Sequence, residues 1–355
     1  MTTQQPLFTI GIPAFKRVRY LPETLESILA QDYPNFEILV SDDSEEPNVK
    51  KIIDGYHSDR IRYQENRPPL GIVPKLNDLV RKARGDWMLI LCDDDALEPG
   101  YLSALAKLAA SREDASLIYT RFKLVDADGK LMREDPVGPA EFTPYEFAAK
   151  VFDLDELIFS MNISGIAFRP KQFSVLGGFK DYHKSFHSDS FAWFQLAAAG
   201  RALCDPRALC RIRLHHGSIT QTMDDDYNAL FDTELRMQLD VPVILDELGA
   251  KAKTDEERAL VIRSRRIFKK HFSRWLPPFD AAFEKALLTR ALPWGEFVRV
   301  FGIMRKLNVS FYRRAYYYLA LSFLPVSVRK KKLEVFSRYR QEKIREHEEK
   351  YGIGA

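Results

Sequence analysis

Cysteine is scarce in this chain. Its 355 residues include three, Cys92, Cys204 and Cys210. They form no C-x-x-C pair, which argues against a disulfide framework or a zinc ribbon and fits a reducing compartment. Long apolar runs are missing too. The longest candidate, Ala315 to Val328, is interrupted by Pro325, so no helix of about 18 apolar residues is expected to span a bilayer. The opening Met-Thr-Thr-Gln-Gln-Pro has neither the basic nor the apolar region of a signal peptide. The expected location is therefore the cytoplasm, or the cytoplasmic face of the inner membrane by peripheral attachment. Internal repeats and low-complexity linkers are also absent.

Net charge is small, +3 from 53 Lys+Arg against 50 Asp+Glu. That total conceals a division. Residues 251–355 hold 25 Lys+Arg and 11 Asp+Glu, a net of +14, which leaves −11 for residues 1–250. With 46% hydrophobic and 12% aromatic residues the chain can bury a full core, which excludes a disordered or fibrous protein. Its length suits one large domain or two ordinary ones.

The first 120 residues alternate between two periodicities. Short apolar runs at Leu7–Ile12, Phe36–Ser41 and Trp87–Cys92 read as strands, and Ile61–Gln64 as a brief one. Segments with helical spacing lie between and after them, at Leu21–Gln31, Val49–Tyr56, Val73–Ala83 and Tyr101–Ala110. Such alternation predicts an α/β fold with a mostly parallel sheet covered by helices. Leu117–Val125, Ile163–Phe168 and Ala208–Leu214 read as further strands, and Phe191–Ala199 as a helix. From about Asp225 the pattern is helical only. A domain over 1–223 and a basic all-helical region over 224–355 are therefore expected.

Polar clusters follow the strands, where open parallel sheets bind ligands. Pro13-Ala14-Phe15 follows the first, Asp42-Asp43 the second and Asp93-Asp94-Asp95 the fourth. Three adjacent carboxylates repel one another, and a Mg²⁺ or Mn²⁺ ion would offset them while taking substrate phosphate oxygens into its shell. A solvated turn or helix cap is the plainer reading of the same triplet. Asp42-Asp43 suits either a nucleobase and ribose contact or a cap. Asp189 in a first helical turn suits either a cap or a general base. His215-His216 suits either a metal ligand or a structural pair.

The ordered set of these pieces resembles family 2 glycosyltransferases of the GT-A fold. The stretch runs from Thr-Ile-Gly-Ile-Pro-Ala-Phe-Lys-Arg (9–17) through residues 25–44, then Gly71 and Lys75, and residues 83–102. Gly-Gly-Phe (177–179), Ser-Asp (188–189) and Arg-Leu-His-His-Gly-Ser (213–218) complete it. The resemblance implies donor binding by Pro13, Ala14, Phe15, Arg17, Asp42, Asp43, Lys75, Asp93 and Asp94. It implies a Mg²⁺ or Mn²⁺ site at Asp93, Asp95 and His215, and Asp189 as catalytic base. Many members carry the first acid where this chain has Cys92, which leaves open which two of Asp93, Asp94 and Asp95 ligate. The usual Glu before the base is Ser188 here. The implied activity is a metal-dependent, inverting hexosyl or deoxyhexosyl transfer. It moves a sugar from a nucleotide-sugar donor to a hydroxyl of a glycan or lipid-linked acceptor, in surface polysaccharide synthesis.

The basic tail interleaves Arg263, Arg265, Arg266, Lys269, Lys270 and Arg274 with Ile267, Phe268, Phe272 and Trp275, and ends in Arg329-Lys330-Lys331-Lys332. Such helices over 261–332 suit an anionic membrane surface. Packing on the catalytic domain and a homo-oligomer contact are the other readings. No nucleic-acid recognition motif occurs, and the acidic half opposes such binding. Two alternatives to glycosyl transfer remain. A sugar nucleotidyltransferase would need a Gly-rich basic loop where this chain reads Gly-Ile-Pro-Ala-Phe-Lys-Arg. A catalytically inactive nucleotide-sugar scaffold has Ser188 as its support.

Overall fold

Phe8–Ala14 is buried almost throughout and forms β1. A strand with no polar face needs cover on both sides, which parallel sheets obtain from crossover helices. In the computed structural model, which describes residues 5–151, 162–182, 187–215 and 227–274, β1 lies between two parallel partners. These are β2 (Phe36–Asp42) and β4 (Trp87–Ile90). Next to β2 lies β3 (Ile61–Glu65), also parallel. The crossovers are α1 (Leu21–Leu29), α2 (Asn48–Asp54) and α3 (Ile72–Lys82). Each buries a stripe at helical spacing, such as Leu21, Leu25 and Ile28 in α1. The alternating fold expected for this stretch is present.

Beyond β4 the sheet becomes mixed. Its order is β3-β2-β1-β4-β9-β6-β10-β5, with β5 at Ala96–Leu97, β6 at Ala115–Val125, β9 at Ile166–Phe168 and β10 at Arg201–Arg213. β9 runs antiparallel to both β4 and β6, while β10 runs parallel to β6. The six strands β3, β2, β1, β4, β6 and β10 therefore all point one way. Their C-terminal ends share one edge. Three features departed from the sequence reading. β9 is shorter than expected. β10 starts at Arg201 rather than Ala208, because Asp205-Pro206-Arg207 interrupts its apolar pattern and is absorbed by a register shift. The exposed hairpin strand β7 (Leu131–Glu134) has no apolar face to betray it.

Among the smaller elements, α4 spans Tyr101–Ser111, β8 spans Glu141–Phe142, α5 spans Pro144–Lys150 and α6 spans Pro170–Val175. Thr143 and Glu146 close a reciprocal capping box at the start of α5. α7 (Ser188–Ala198) is buried along most of its length, with Trp193 against Phe168 and Phe179 at ring distances of 5.7 and 5.9 Å.

Two compact units divide the chain: residues 1–221 with 240–268, and residues 222–239 with 269–355. α8 (Tyr227–Lys251) contributes to both, as does α9 (Asp255–Arg274). In the first unit, α9 turns Val261, Ser264 and Phe268 inward. Tyr182 donates to Asp240 Oδ2 at 2.7 Å, tying the segment before α7 to α8. The boundary expected at 223/224 and the features expected in residues 275–355, Trp275 included, lie outside the described residues. Among the described residues no helix is long and apolar enough to cross a membrane.

Asn77 on α3 clamps the chain entering the α7 region. Its Nδ2 donates to Phe179 O at 2.8 Å and its Oδ1 accepts from Phe179 N at 2.9 Å. Gly178 passes this clamp at φ +68°, where a Cβ would stand 2.5 Å from Asn77 Oδ1. Asn77→Ala leaves both backbone groups of buried Phe179 without their partners. It is expected to destabilise the protein by about 1–3 kcal/mol, read as a lower urea midpoint. An unchanged midpoint would show that the clamp is dispensable.

Candidate catalytic site

The acid triplet closes the edge where β1, β4 and β10 end. All three carboxylates are buried, and each has different partners. Asp95 turns inward: Oδ1 accepts from Arg213 N at 2.8 Å and Oδ2 from Ser164 Oγ at 2.5 Å. Asp93 faces the loop after β1, where Oδ2 accepts from Phe15 N at 2.9 Å and Oδ1 from Arg17 Nη1 at 3.3 Å. Asp94 Oδ2 meets His215 Nε2 at 2.9 Å and Arg17 Nη1 at 2.8 Å.

Arg213 holds this arrangement from beneath. Its Nε donates to Asp94 O at 3.0 Å, Nη2 to Glu23 Oε2 at 2.6 Å, and Nη1 to the carbonyls of Asp126 and Ala127. The guanidinium also stacks over Tyr20, 4.7 Å from its centroid, and Tyr20 packs against the His215 ring at 5.1 Å. The sequence does not single out Ser164, Tyr20 or Glu23, and it offers Arg213 only as the first residue of the Arg-Leu-His-His-Gly-Ser stretch. The available signal was an arginine ending an apolar strand two residues before His215.

Burial dominates the electrostatics. It pushes the Asp93 carboxyl up to about 6, with Asp94 adding to the rise and the Phe15 N–H and Arg17 opposing it. Asp95 is likewise pushed upward, by burial first and the Asp94 charge second, against the Ser164 and Arg213 hydrogen bonds. The Cys92 thiol is raised well above its ordinary value by burial and the adjacent carboxylates. It is a protonated soft ligand and suits neither Mg²⁺ nor Mn²⁺.

The residues fit a hard divalent ion at Asp94 and His215. Two adjacent ligands of an octahedral ion, each at about 2.1 Å, stand about 3.0 Å apart. Asp94 Oδ2 and His215 Nε2 are separated by 2.9 Å. Cys92, Asp94 and Asp95 also offer ligand atoms within 4.8 Å of one another. Both oxygens of Asp95 are already committed to Ser164 and Arg213. Asp93 is tied to Phe15 and Arg17. Of the expected set Asp93, Asp95 and His215, His215 therefore converges with Asp94 rather than with either named carboxylate.

The residues expected around the donor form a second network on the same edge. Lys75 Nζ donates to Ala14 O at 2.9 Å and pairs with Asp43 Oδ2 at 3.4 Å. Asp43 also accepts from Asn66 Nδ2, Leu70 N and Gly71 N. Asp42 accepts from Ser44 N, Ser44 Oγ and Tyr63 OH. Both carboxylates are thus held in place by the protein's own donors. Burial lowers the Lys75 pKa, with Asp43 opposing. The Phe15 ring, 51% exposed, lies 5.8 Å from Lys75 Nζ and is the open surface of this network. Pro13 precedes it on β1.

Asp189 stands in the first turn of α7, after His187 at φ +58°. Its described hydrogen bonds stay within that turn, from Ser190 N at 2.7 Å and Ser190 Oγ at 3.4 Å. Burial raises its pKa, against the Ser190 N–H and His187. Ser188 donates to Lys180 O and is structural. His216, Gly217 and Ser218 lie outside the described residues. A surface cleft of about 420 Å³ opens at the opposite sheet edge, beside Ala115 and Arg201 at the starts of β6 and β10. It is remote from the acid triplet.

Residues 9–173 match the profile of the family described as "Glycosyl transferase family 2". An uncharacterized glycosyltransferase of Haemophilus influenzae is 23% identical over 190 residues, covering 52% of this chain and 60% of that protein. The GalNAc(5)-diNAcBac-PP-undecaprenol beta-1,3-glucosyltransferase of Campylobacter jejuni is 30% identical over 132 residues, 36% of this chain and 42% of that protein. In both, the match spans less than two thirds of the relative's own length. Among solved structures, S. aureus TarS 1–349 in complex with UDP-GlcNAc has a TM-score of 0.60 at 16% identity, covering 87% of this chain and 90% of that one. The mannosyltransferase PcManGT of Pyrobaculum calidifontis, in complex with GDP-Man and Mn²⁺, has a TM-score of 0.53 at 18% identity, covering 90% and 86%. These likenesses show the expected GT-A fold.

The raised carboxyls give the metal-free protein a signed pH dependence. Native Asp93 and Asp95 keep protons that the unfolded chain releases near the ordinary carboxylate pKa of about 4. The native state therefore binds more protons as pH rises from about 4 through 6, and stability falls across that window. Asp95→Asn removes one of these titrations and keeps the side chain's shape. In EDTA its urea midpoint is expected to gain on the wild type as pH rises from 5 to 8. Parallel curves would refute the inward, protonated role of Asp95.

Proposed function

The chain belongs to glycosyl transferase family 2 through residues 9–173, and from that premise we propose that it is a metal-dependent, inverting glycosyltransferase. It takes a nucleotide-sugar donor and transfers the sugar to a hydroxyl of a glycan or lipid-linked acceptor. The observation that carries this reading is the convergence of Asp94 Oδ2 and His215 Nε2 at 2.9 Å, on the edge where β1, β4 and β10 end. Donor and ion complexes of the two structural neighbours support it, as does the lipid-linked glucosyltransferase relative.

In this reading Asp94 and His215 hold Mg²⁺ or Mn²⁺, and Asp93 keeps the loop after β1 against the site through Phe15 N. A bound divalent ion supplies charge neutralisation for the departing nucleoside diphosphate. Phe15 and Lys75 line the donor rim. Asp189 accepts the proton of the acceptor hydroxyl, and its raised pKa moves it toward the operating range of a general base. Attack opposite the leaving group inverts the anomeric centre.

The +14 charge of residues 251–355 gives the proposal its setting, the cytoplasmic face of an anionic membrane. Each Lys or Arg near such a surface contributes on the order of 1 kcal/mol. Flotation with anionic but not neutral liposomes is the expected result.

The enzymatic test is transfer and donor hydrolysis with UDP-, GDP- and dTDP-sugars in Mn²⁺, Mg²⁺ or EDTA. Turnover is expected with one donor series and is expected to vanish in EDTA. Asp189→Asn should lower kcat by about 10²–10⁴ while leaving nucleotide affinity and the fold intact. Near-normal transfer by that variant would remove Asp189 as the base, and full activity in EDTA would remove the ion.

A further inference from the structure

Tyr20 is the residue immediately before α1. Its backbone is tied to the acid triplet through that helix. Tyr20 O accepts from Thr24 N at 3.1 Å, and Thr24 Oγ1 donates to Asp95 O at 2.8 Å. The Tyr20 side chain is therefore presented at the same edge as the acids. Its ring is partly buried. The Arg213 guanidinium lies 4.7 Å from the ring centroid, and the His215 ring lies 5.1 Å away, tilted by 43°. The Arg19 guanidinium adds a third contact at 5.0 Å. Among the described residues none hydrogen-bonds the Tyr20 hydroxyl.

These contacts close a ring. Arg213 Nε donates to Asp94 O, and the Arg213 guanidinium stacks on Tyr20. Tyr20 packs on His215, and His215 Nε2 returns to Asp94 Oδ2 at 2.9 Å. Arg213 is pinned within this ring by Glu23 in the first turn of α1. His215 lies two residues past the end of β10, and the Tyr20 ring gives its imidazole an aromatic face to rest on.

Resting on the glycosyltransferase reading above, we infer that Tyr20 is a positioning residue, whose ring holds the His215 imidazole at the Asp94 carboxylate in the arrangement that takes a divalent ion. A metal-ligating imidazole has its orientation fixed by an outer partner, and loss of such a partner costs about 10–100-fold in metal affinity. Here the partner is an aromatic face, itself held by Arg213 through a cation–π contact. Arg213 also holds Asp94 O. Both ligands are thus referred to one guanidinium, and their approach is set before an ion arrives.

The test is Mn²⁺ titration of the full chain without nucleotide, followed by electron paramagnetic resonance. Tyr20→Leu keeps the bulk but not the aromatic face, and is expected to bind Mn²⁺ about tenfold more weakly than wild type. Tyr20→Phe should keep wild-type affinity, because the ring and not the hydroxyl makes the contacts. His215→Ala should also weaken binding. Combining it with Tyr20→Leu should weaken binding no further, since Tyr20 acts through that imidazole. Urea midpoints in EDTA check each fold, and Tyr20→Met replaces Tyr20→Leu if the latter fails to fold. Wild-type affinity in Tyr20→Leu, an equal loss in Tyr20→Phe, or losses that add in the double variant overturn the inference alone. Wild-type affinity in His215→Ala, or no Mn²⁺ binding by any of these proteins, overturns the metal reading and the inference with it.

Discussion

Three consecutive carboxylates buried at one sheet edge constrain much of what surrounds them. Two unit charges about 5 Å apart repel by about 3 kcal/mol at the effective dielectric near a protein surface, and burial adds a desolvation cost to each. The fold answers with donors drawn from distant parts of the chain. Ser164 comes from the turn before β9, Arg213 from the end of β10, Phe15 and Arg17 from the loop after β1. Glu23 at the start of α1 then balances Arg213. The acid triplet is thus a point through which β1, α1, β4, β9 and β10 are held in register.

Compensation is unequal, and the inequality gives each acid its part. Asp95 is enclosed by neutral donors and works as a strut. Asp93 fixes the loop that carries Phe15 and Arg17. Asp94 meets His215 and the partly exposed Arg17 through a single oxygen. Asp42 and Asp43 are likewise held from within the protein, by Ser44 and Tyr63 and by Asn66, Leu70, Gly71 and Lys75, beside the exposed Phe15 ring.

Sequence pattern reached the first four strands because three are mainly apolar runs that stop at a turn or polar cluster, while β3 is a brief alternating segment between two helical ones. It reached the site edge for the same reason, since Asp42-Asp43 and Asp93–Asp95 both sit where such a run stops. It failed where local pattern and tertiary role part company. β9 is three residues long and owes its place to both flanking strands. β10 contains Pro206, which reads as a strand breaker and is tolerated only because the register shifts there. Within the triplet, spacing could not say which carboxylate would face an ion. Consecutive residues in a turn point in different directions, and partners such as Ser164 and Arg213 lie about 70 and 120 positions away in the chain.

The elevated carboxyl pKa values of Asp93 and Asp95 report above all the cost of burying a charge, to which the neighbouring Asp94 adds. The Phe15 N–H, Arg17 and Lys75 oppose that cost and still leave Asp93 at about 6. Ionising Asp93 and Asp95 therefore costs more here than in water, and any positive charge brought near Asp94 would lower that cost. The edge where β1, β4 and β10 end therefore holds its acids at a cost in stability, and that cost is what a cation bound there, as proposed above, would offset.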